Sequence, residues 1–379
     1  MIVNLGVFYQ VLTLCKNNFL STVSILFALL VFIEPTLLAQ TTSLNNDMLL
    51  LFFVLLSINS VINSKPFFLF IALTGLLLTN LRGIYLYVAI LVIHLVYIRK
   101  SLTDNNSKIL YLSYSIPVIL FVLFCYLQFQ KLGWFIITQN ENYNVHRHIT
   151  EPSLVIKNSF AFIKCFFDYG RVLIYVVLIP LMIKYYKQGN VKNKAIDRIS
   201  IALIVYSLIL FFGTVPFSNP IGDRYYNICY LLSILLLINL INQFKIVKKK
   251  LIVISIVFGL TTGHLWIYPS TISQAWDSSL AYLNYYPVEI KMEKYIISHN
   301  IDYKKIGTRI RLNDRNLSLL NEVEFPKYSK FNININEYIL LSNIENYTKD
   351  EELNYIRNNW EHIKSFSQLG VYIALYKKK

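Results

Sequence analysis

At 379 residues the chain could hold two or three soluble domains, but 55% hydrophobic against 15% charged residues excludes that arrangement. The net charge of +15 does not point to nucleic acid, because Lys and Arg sit in short loops between apolar runs rather than in one basic region. Four cysteines, Cys15, Cys125, Cys165 and Cys229, form no CxxC pair and read as small apolar fillers rather than a disulfide or metal framework.

Ten apolar segments run through the first 268 positions, at roughly 2–15, 18–39, 48–64, 66–81, 83–98, 109–127, 171–187, 199–215, 225–243 and 251–268. Runs of this kind predict an all-α polytopic membrane domain of about ten helices over residues 1–268. Segments 66–81 and 83–98 are short for a hydrocarbon core of about 30 Å. They suggest a broken or partly re-entrant pair around Asn80, Arg82 and Gly83.

The stretch from Ile33 to Leu51 is the centre of the pattern. One apolar helix is expected to end at Glu34-Pro35, a polar loop to run from Gln40 to Asn46, and Asp47 to open the next helix. A carboxylate near hydrocarbon is costly and usually serves chemistry or a partner. The plainer alternative, a helix cap at Asn46-Asp47-Met48, stays open at this point.

Basic residues set the orientation. One set of alternate loops, which includes Lys65, Lys100, Lys192 and Lys248, carries fourteen Lys and Arg; the other carries seven, including Arg82, Arg171 and Arg224. The richer set is expected to be cytoplasmic, which places Asp47, the 128–170 loop, Arg224 and the C-terminal part outside. The N-terminus would then also lie outside, before a first apolar run with no preceding signal. An upstream helix is therefore expected to be missing, unless segment 2–15 lies in the interface.

The long loop carries QNENYNVHRHITEPS. His146 and His148 could form a metal pair, although no third ligand is evident and an exposed polar loop explains them too. The following stretch, 154–167, is expected to lie flat on the membrane surface. Farther on, VPFSNPIGDRYYNICY sets Asp223 and Arg224 at the mouth of a helix. Arg224 is suited to phosphate oxygens, or alternatively to an interfacial aromatic belt with its Tyr neighbours.

From Pro269 to Lys379 the composition becomes balanced, with fifteen basic and thirteen acidic residues. PVEIKMEKYIISHN and KDEELNYIRNNW read as helices and KIGTRIRL and EYILLSNI as strands. HIKSFSQLGVYIALYKK reads as a hairpin turning at Gln368-Leu369-Gly370. A small soluble α/β or α+β domain over 269–379 is expected, without a Gly-rich phosphate loop or metal-ligand spacing.

Taken together, Pro35, Gln40 and Asn46-Asp47 before a helix, Arg82-Gly83 at an outer helix end, and Arg224-Tyr225 opening a late helix form a sparse pattern. It resembles the polytopic GT-C type glycosyltransferases that use polyprenyl-phosphate sugars, the group containing protein mannosyltransferases and lipid A aminoarabinose transferases. The resemblance implies a multi-pass protein of the plasma (inner bacterial) membrane. It would move a sugar from a polyprenyl-phosphate donor to a lipid or glycan acceptor on the outer face, in cell-envelope glycan synthesis. Asp47 would bind a divalent metal ion or orient the acceptor, Arg82 and Arg224 would hold the lipid phosphate, and His146 or His148 would help bind phosphate or sugar. Such enzymes carry an acid in a first outer loop, which is expected to be missing here together with the upstream helix. A neighbouring chain supplying the missing helix, or Glu34, would have to replace it, or the protein is an inactive remnant. A non-catalytic scaffold and a flippase or polysaccharide polymerase subunit remain as alternatives.

Overall fold

The computed structural model describes residues 2–18, 21–43, 46–98, 106–136, 148–188, 193–219, 221–266, 278–309, 328–345 and 348–379. The chain forms two compact units, Met1–Gly263 and His264–Lys379. The boundary expected at 268/269 lies outside the described residues.

The first unit contains twelve α-helices among the described residues: α1 (Ile2–Asn18), α2 (Ser21–Phe32), α3 (Pro35–Thr42), α4 (Asp47–Ile62), α5 (Pro66–Thr79), α6 (Arg82–Ile98), α7 (Asn106–Leu132), α8 (Pro152–Phe167), α9 (Val172–Gln188), α10 (Lys194–Thr214), α11 (Asn227–Gln243) and α12 (Lys249–Gly263). Among the described residues, each apolar segment marked in the sequence falls on one helix, except 18–39. Among the described residues, three helices are long and apolar enough to cross a bilayer by length and composition, Tyr111–Leu132, Lys194–Thr214 and Asp223–Gln243. Counting each of two bent pairs as one span raises this to five.

The 18–39 segment breaks in two. Helix α2 does end just before the Glu34-Pro35 pair, at Phe32, but the pair also starts a helix where a loop was expected: Pro35 occupies the first turn, where its missing N–H costs nothing. The Glu34 carboxylate accepts from the Leu37 N–H at 2.6 Å and caps the new helix. Gln40, expected in a loop, is therefore buried in α3.

Helix α11 is apolar on every side, as a helix enclosed by others must be. It packs against α2, α4, α9 and α10, and all its residues from Asn227 to Ile241 are buried. Helix α7 is the opposite case: Ile119, Val122 and Leu127 are among its many exposed apolar side chains.

Helices α8 and α9 meet at 92°. The corner needs two left-handed residues, Tyr169 and Gly170, and Gly170 packs so closely on Gly259 of α12 that a methyl group there would run into the Gly259 carbonyl. This turn sends Arg171 into the interior.

The second unit contains α13 (Tyr285–Ser298), β1 (Ile306–Thr308), β2 (Ser329–Lys330), β3 (Tyr338–Ser342), α14 (Asp350–Asn359), β4 (Glu361–Gln368) and β5 (Val371–Lys377). The sheet runs β2-β1-β3-β5-β4; β1 is parallel to both neighbours and the other pairs are antiparallel. Helix α13 packs on β4 and β5. Leu353 and Ile356 of α14, with Trp360, bury Ile339 and Leu341 of β3. The β4–β5 hairpin turns through Leu369 and Gly370, both at positive φ, as a two-residue hairpin turn requires.

Candidate functional site

Asp47 is the first residue of α4. The capping position is Asn46, whose side chain makes no capping bond, so the cap reading of the sequence does not describe this terminus. The Asp47 carboxylate is 4% exposed and bridges two arginines: Arg82 Nη1 lies 2.5 Å from one oxygen and Arg224 Nε 3.3 Å from the other.

Local structure puts each arginine there. Helix α5 stops at Asn80, whose side-chain oxygen accepts from the Arg82 backbone N–H at 3.2 Å. Gly83 lets α6 begin hard against the Leu76 carbonyl, where no Cβ would fit. Arg82 is thereby the first residue of α6. Arg224 belongs to the 3-10 turn Asp223–Tyr226 that leads into α11. Between the arginines stands Tyr225, its ring 4.1 Å from the Arg82 guanidinium carbon and 5.6 Å from that of Arg224. Both arginines remain partly exposed, at 19% and 29%.

A second cluster lies deeper. Arg171, fully buried, donates to Glu34 at 2.7 Å, to Thr36 at 2.8 Å and to Asp223 at 2.5 Å, with its guanidinium carbon 4.1 Å from the centre of the Tyr230 ring. Two carboxylates share one guanidinium, the kind of pairing a buried charge needs. Asp223 and Arg224 are consecutive, so one turn serves both clusters. Helix α3 packs against that turn and carries Glu34 at its start.

Of the residues singled out in the sequence, Asp47, Arg82 and Arg224 therefore converge. Glu34 lies in the deeper cluster, wholly buried, with one oxygen on Arg171 and the other capping α3. It is poorly placed to activate an acceptor. His148 is exposed, and its carbonyl accepts from the Ser218 N–H at 2.9 Å, while Ile149 bridges to Phe217. The long loop is thus tied to the segment just before Asp223. His146 lies outside the described residues.

The donor set around Asp47 does not fit the divalent ion that the sequence suggested. Its two oxygens already face guanidinium groups, and a cation there would meet two positive charges. Among the described residues, no three His, Cys, Asp or Glu side chains gather in a group that could hold a metal.

Arg171, Tyr225 and Asn227 were not singled out as site residues in the sequence. Asn227, the first residue of α11, lines the same small cavity as Asp47, Arg82, Arg224 and Tyr225. A charged residue opening an apolar helix was the visible signal for Arg171, as it was for Arg82. No local pattern marks Glu34, 137 positions away, as its partner.

The arrangement can hold an anion. Two guanidinium groups, fixed by one buried carboxylate and one aromatic ring, face a cavity at the N-termini of α4, α6 and α11, where helix dipoles also favour negative charge. No family model, curated protein or solved structure matches this chain.

Proposed function

We propose that this chain is a membrane protein that binds the phosphate of a lipid-phosphate sugar between Arg82 and Arg224 and passes the sugar to an acceptor, in the manner of the polytopic transferases its sequence resembles. The membrane part of this reading is supported by the exposed apolar faces of α7 and of α8, where Ile156, Phe160 and Ile163 lie bare. Patches of that size are unfavourable in water. The positive residues of the loops favour an outward-facing site.

One observation carries the reading: Asp47 occupies the place an anionic ligand would take between the two arginines. An incoming phosphate matches both guanidinium forks better than a single carboxylate does. As it takes over the arginines, it releases Asp47. The freed carboxylate can then accept the proton of the acceptor nucleophile. The acceptor forms its bond to the sugar's anomeric carbon, the bond from that carbon to the phosphate oxygen breaks, and the electron pair leaves with the lipid phosphate. Arg82 and Arg224 stabilise that charge. The site is thus competent only after the donor has bound.

A second reading rests on another observation. Glu34, Asp47 and Asp223 are all paired with arginines. If Asp47 is not released, the protein binds lipid phosphate without transferring anything, as a scaffold or carrier would.

Full-length protein in proteoliposomes, supplied with a radiolabelled polyprenyl-phosphate sugar and envelope membranes as acceptor source, tests the proposal. Arg82→Gln and Arg224→Gln should each lower transfer by about 100-fold or more. Transfer unaffected by both substitutions would remove the arginines from the site. Donor binding without transfer by the wild type would favour the second reading.

A further inference from the structure

Asn227 is 4% exposed, and both its side-chain nitrogen and its side-chain oxygen are buried without a hydrogen-bond partner among the described residues. A buried amide that makes none of its bonds is costly in a folded protein, and native structures keep few of them. Because both atoms are unpartnered, exchanging the amide's two ends would not change the result.

The position is also fixed. Tyr226, just before it, makes a 3.0 Å hydrogen bond with Thr214 and packs edge-on against Phe162. Asn227 begins α11, the most enclosed helix of the first unit. It lines the cavity of Asp47, Arg82 and Arg224.

We infer that Asn227 is the specificity-determining residue of this site, reading a hydroxyl of the sugar next to the phosphate. The inference rests on the arginine–phosphate reading above and adds to it the part of the ligand that the arginines cannot see. The chemistry of the unpaired atoms selects the partner. The ionised phosphodiester of such a ligand only accepts hydrogen bonds, so it could satisfy the amide nitrogen and never the oxygen. A hydroxyl both donates and accepts, and satisfies both. The two arginines, which only donate, are matched to the phosphate. A sugar carried on a phosphate presents these two groups side by side. Sites built to hydrogen-bond a hydroxyl discriminate strongly against ligands that lack it, because the buried protein group is then left unpaired.

The cavity itself, ≈ 20 Å³, has room for about one water molecule. A sugar can enter only when the arginines move off Asp47, so phosphate capture and sugar recognition are coupled. The rival account is that Asn227 merely holds a structural water.

The test uses the full chain in detergent micelles, with farnesyl phosphate as the bare probe and its mannosyl, glucosyl and aminoarabinosyl phosphodiesters as sugar-bearing probes. Wild type should bind at least one sugar-bearing probe about tenfold or more tighter than farnesyl phosphate. Asn227→Leu, nearly isosteric, should erase that preference, leave affinity for farnesyl phosphate within a few-fold, and raise the melting temperature of the ligand-free protein. Asn227→Ala serves where leucine does not fit, and should also erase the preference. A preference retained in both variants, or no preference in wild type, overturns the inference, and the water account predicts the first of these. If wild type binds none of the probes, or if Arg82→Gln and Arg224→Gln bind farnesyl phosphate as well as wild type, the arginine reading fails first and the inference with it.

Discussion

The two units use the same charged residues in opposite ways. In the helical unit, Arg171 is wholly buried between Glu34 and Asp223, and Asp47 is buried between Arg82 and Arg224. In the C-terminal unit, Lys305 meets Glu337 at 2.8 Å with both side chains exposed, and Arg309 meets Glu352 at 2.9 Å with both partly exposed. Water screens the second kind of pair, and such pairs contribute about 0–1 kcal/mol. The first kind is taken from water at a cost of several kcal/mol per ion, which only good geometry offsets. A buried ion pair in the helical unit, unlike the partly exposed Lys164–Asp168 pair on its surface, is therefore either needed for the fold or held ready for a ligand. Arg171 fits the first role and the Asp47 bridge the second, because only the arginines of the Asp47 bridge reach solvent.

The largest expected effect follows from breaking the deep cluster. Arg171→Met leaves two buried carboxylates facing each other and should destabilise the helical unit by about 3–5 kcal/mol. The four buried free cysteines, Cys15, Cys125, Cys165 and Cys229, allow the melt to be followed with a thiol-reactive dye. Adding Glu34→Gln and Asp223→Asn to Arg171→Met should recover most of the loss. A loss that persists in the triple variant would mean that packing, not charge pairing, dominates there.

Next in size is the corner that delivers Arg171. Gly170→Ala puts a side chain at φ +79 and against the Gly259 carbonyl, and should cost about 2–4 kcal/mol in the same melt. Gly133 has a similar φ of +77 but open space around it, so Gly133→Ala should cost clearly less. Equal losses would assign the effect to backbone strain alone.

The smallest effect is expected in the C-terminal unit. The hydrogen bond that Lys305 donates to the Glu337 carboxylate raises the pKa of its ammonium above the ordinary lysine value. A raised folded pKa adds stability below the unfolded value and loses it as pH rises through the folded one, so any contribution fades only above about pH 10. Lys305→Gln should leave the melting temperature at pH 7 unchanged within error. A clear drop would contradict the contrast between the units.

Much of the fold was legible in the sequence, for identifiable reasons. Apolar runs mark helices whether or not a bilayer surrounds them, and Leu369-Gly370 marks its hairpin through the positive φ it demands. The helix α3 was hidden because Glu-Pro reads as a stop, which it is for α2, and gives no sign that it is also a start; the Glu34 carboxylate on the Leu37 N–H shows that it is. Within the site, Asp47, Arg82 and Arg224 stood out one by one, as charges at the ends of apolar helices. That one carboxylate holds both arginines was not legible, since it depends on how three helix starts converge. Asn227 carried no signal, because an Asn among apolar residues looks like any helix-start residue until its partners are counted.

The central claim is that phosphate replaces Asp47 between the arginines and thereby frees it for the acceptor. Measuring farnesyl phosphate affinity and sugar transfer side by side for wild type and Asp47→Asn tests it most directly. Removing the competing carboxylate charge should leave binding as tight as in wild type or tighten it, by up to about tenfold, or ~1.4 kcal/mol. Transfer should fall by orders of magnitude, because the amide cannot take the acceptor's proton. Tight binding with lost transfer is the predicted result; weaker binding, or transfer that survives the substitution, would contradict the account.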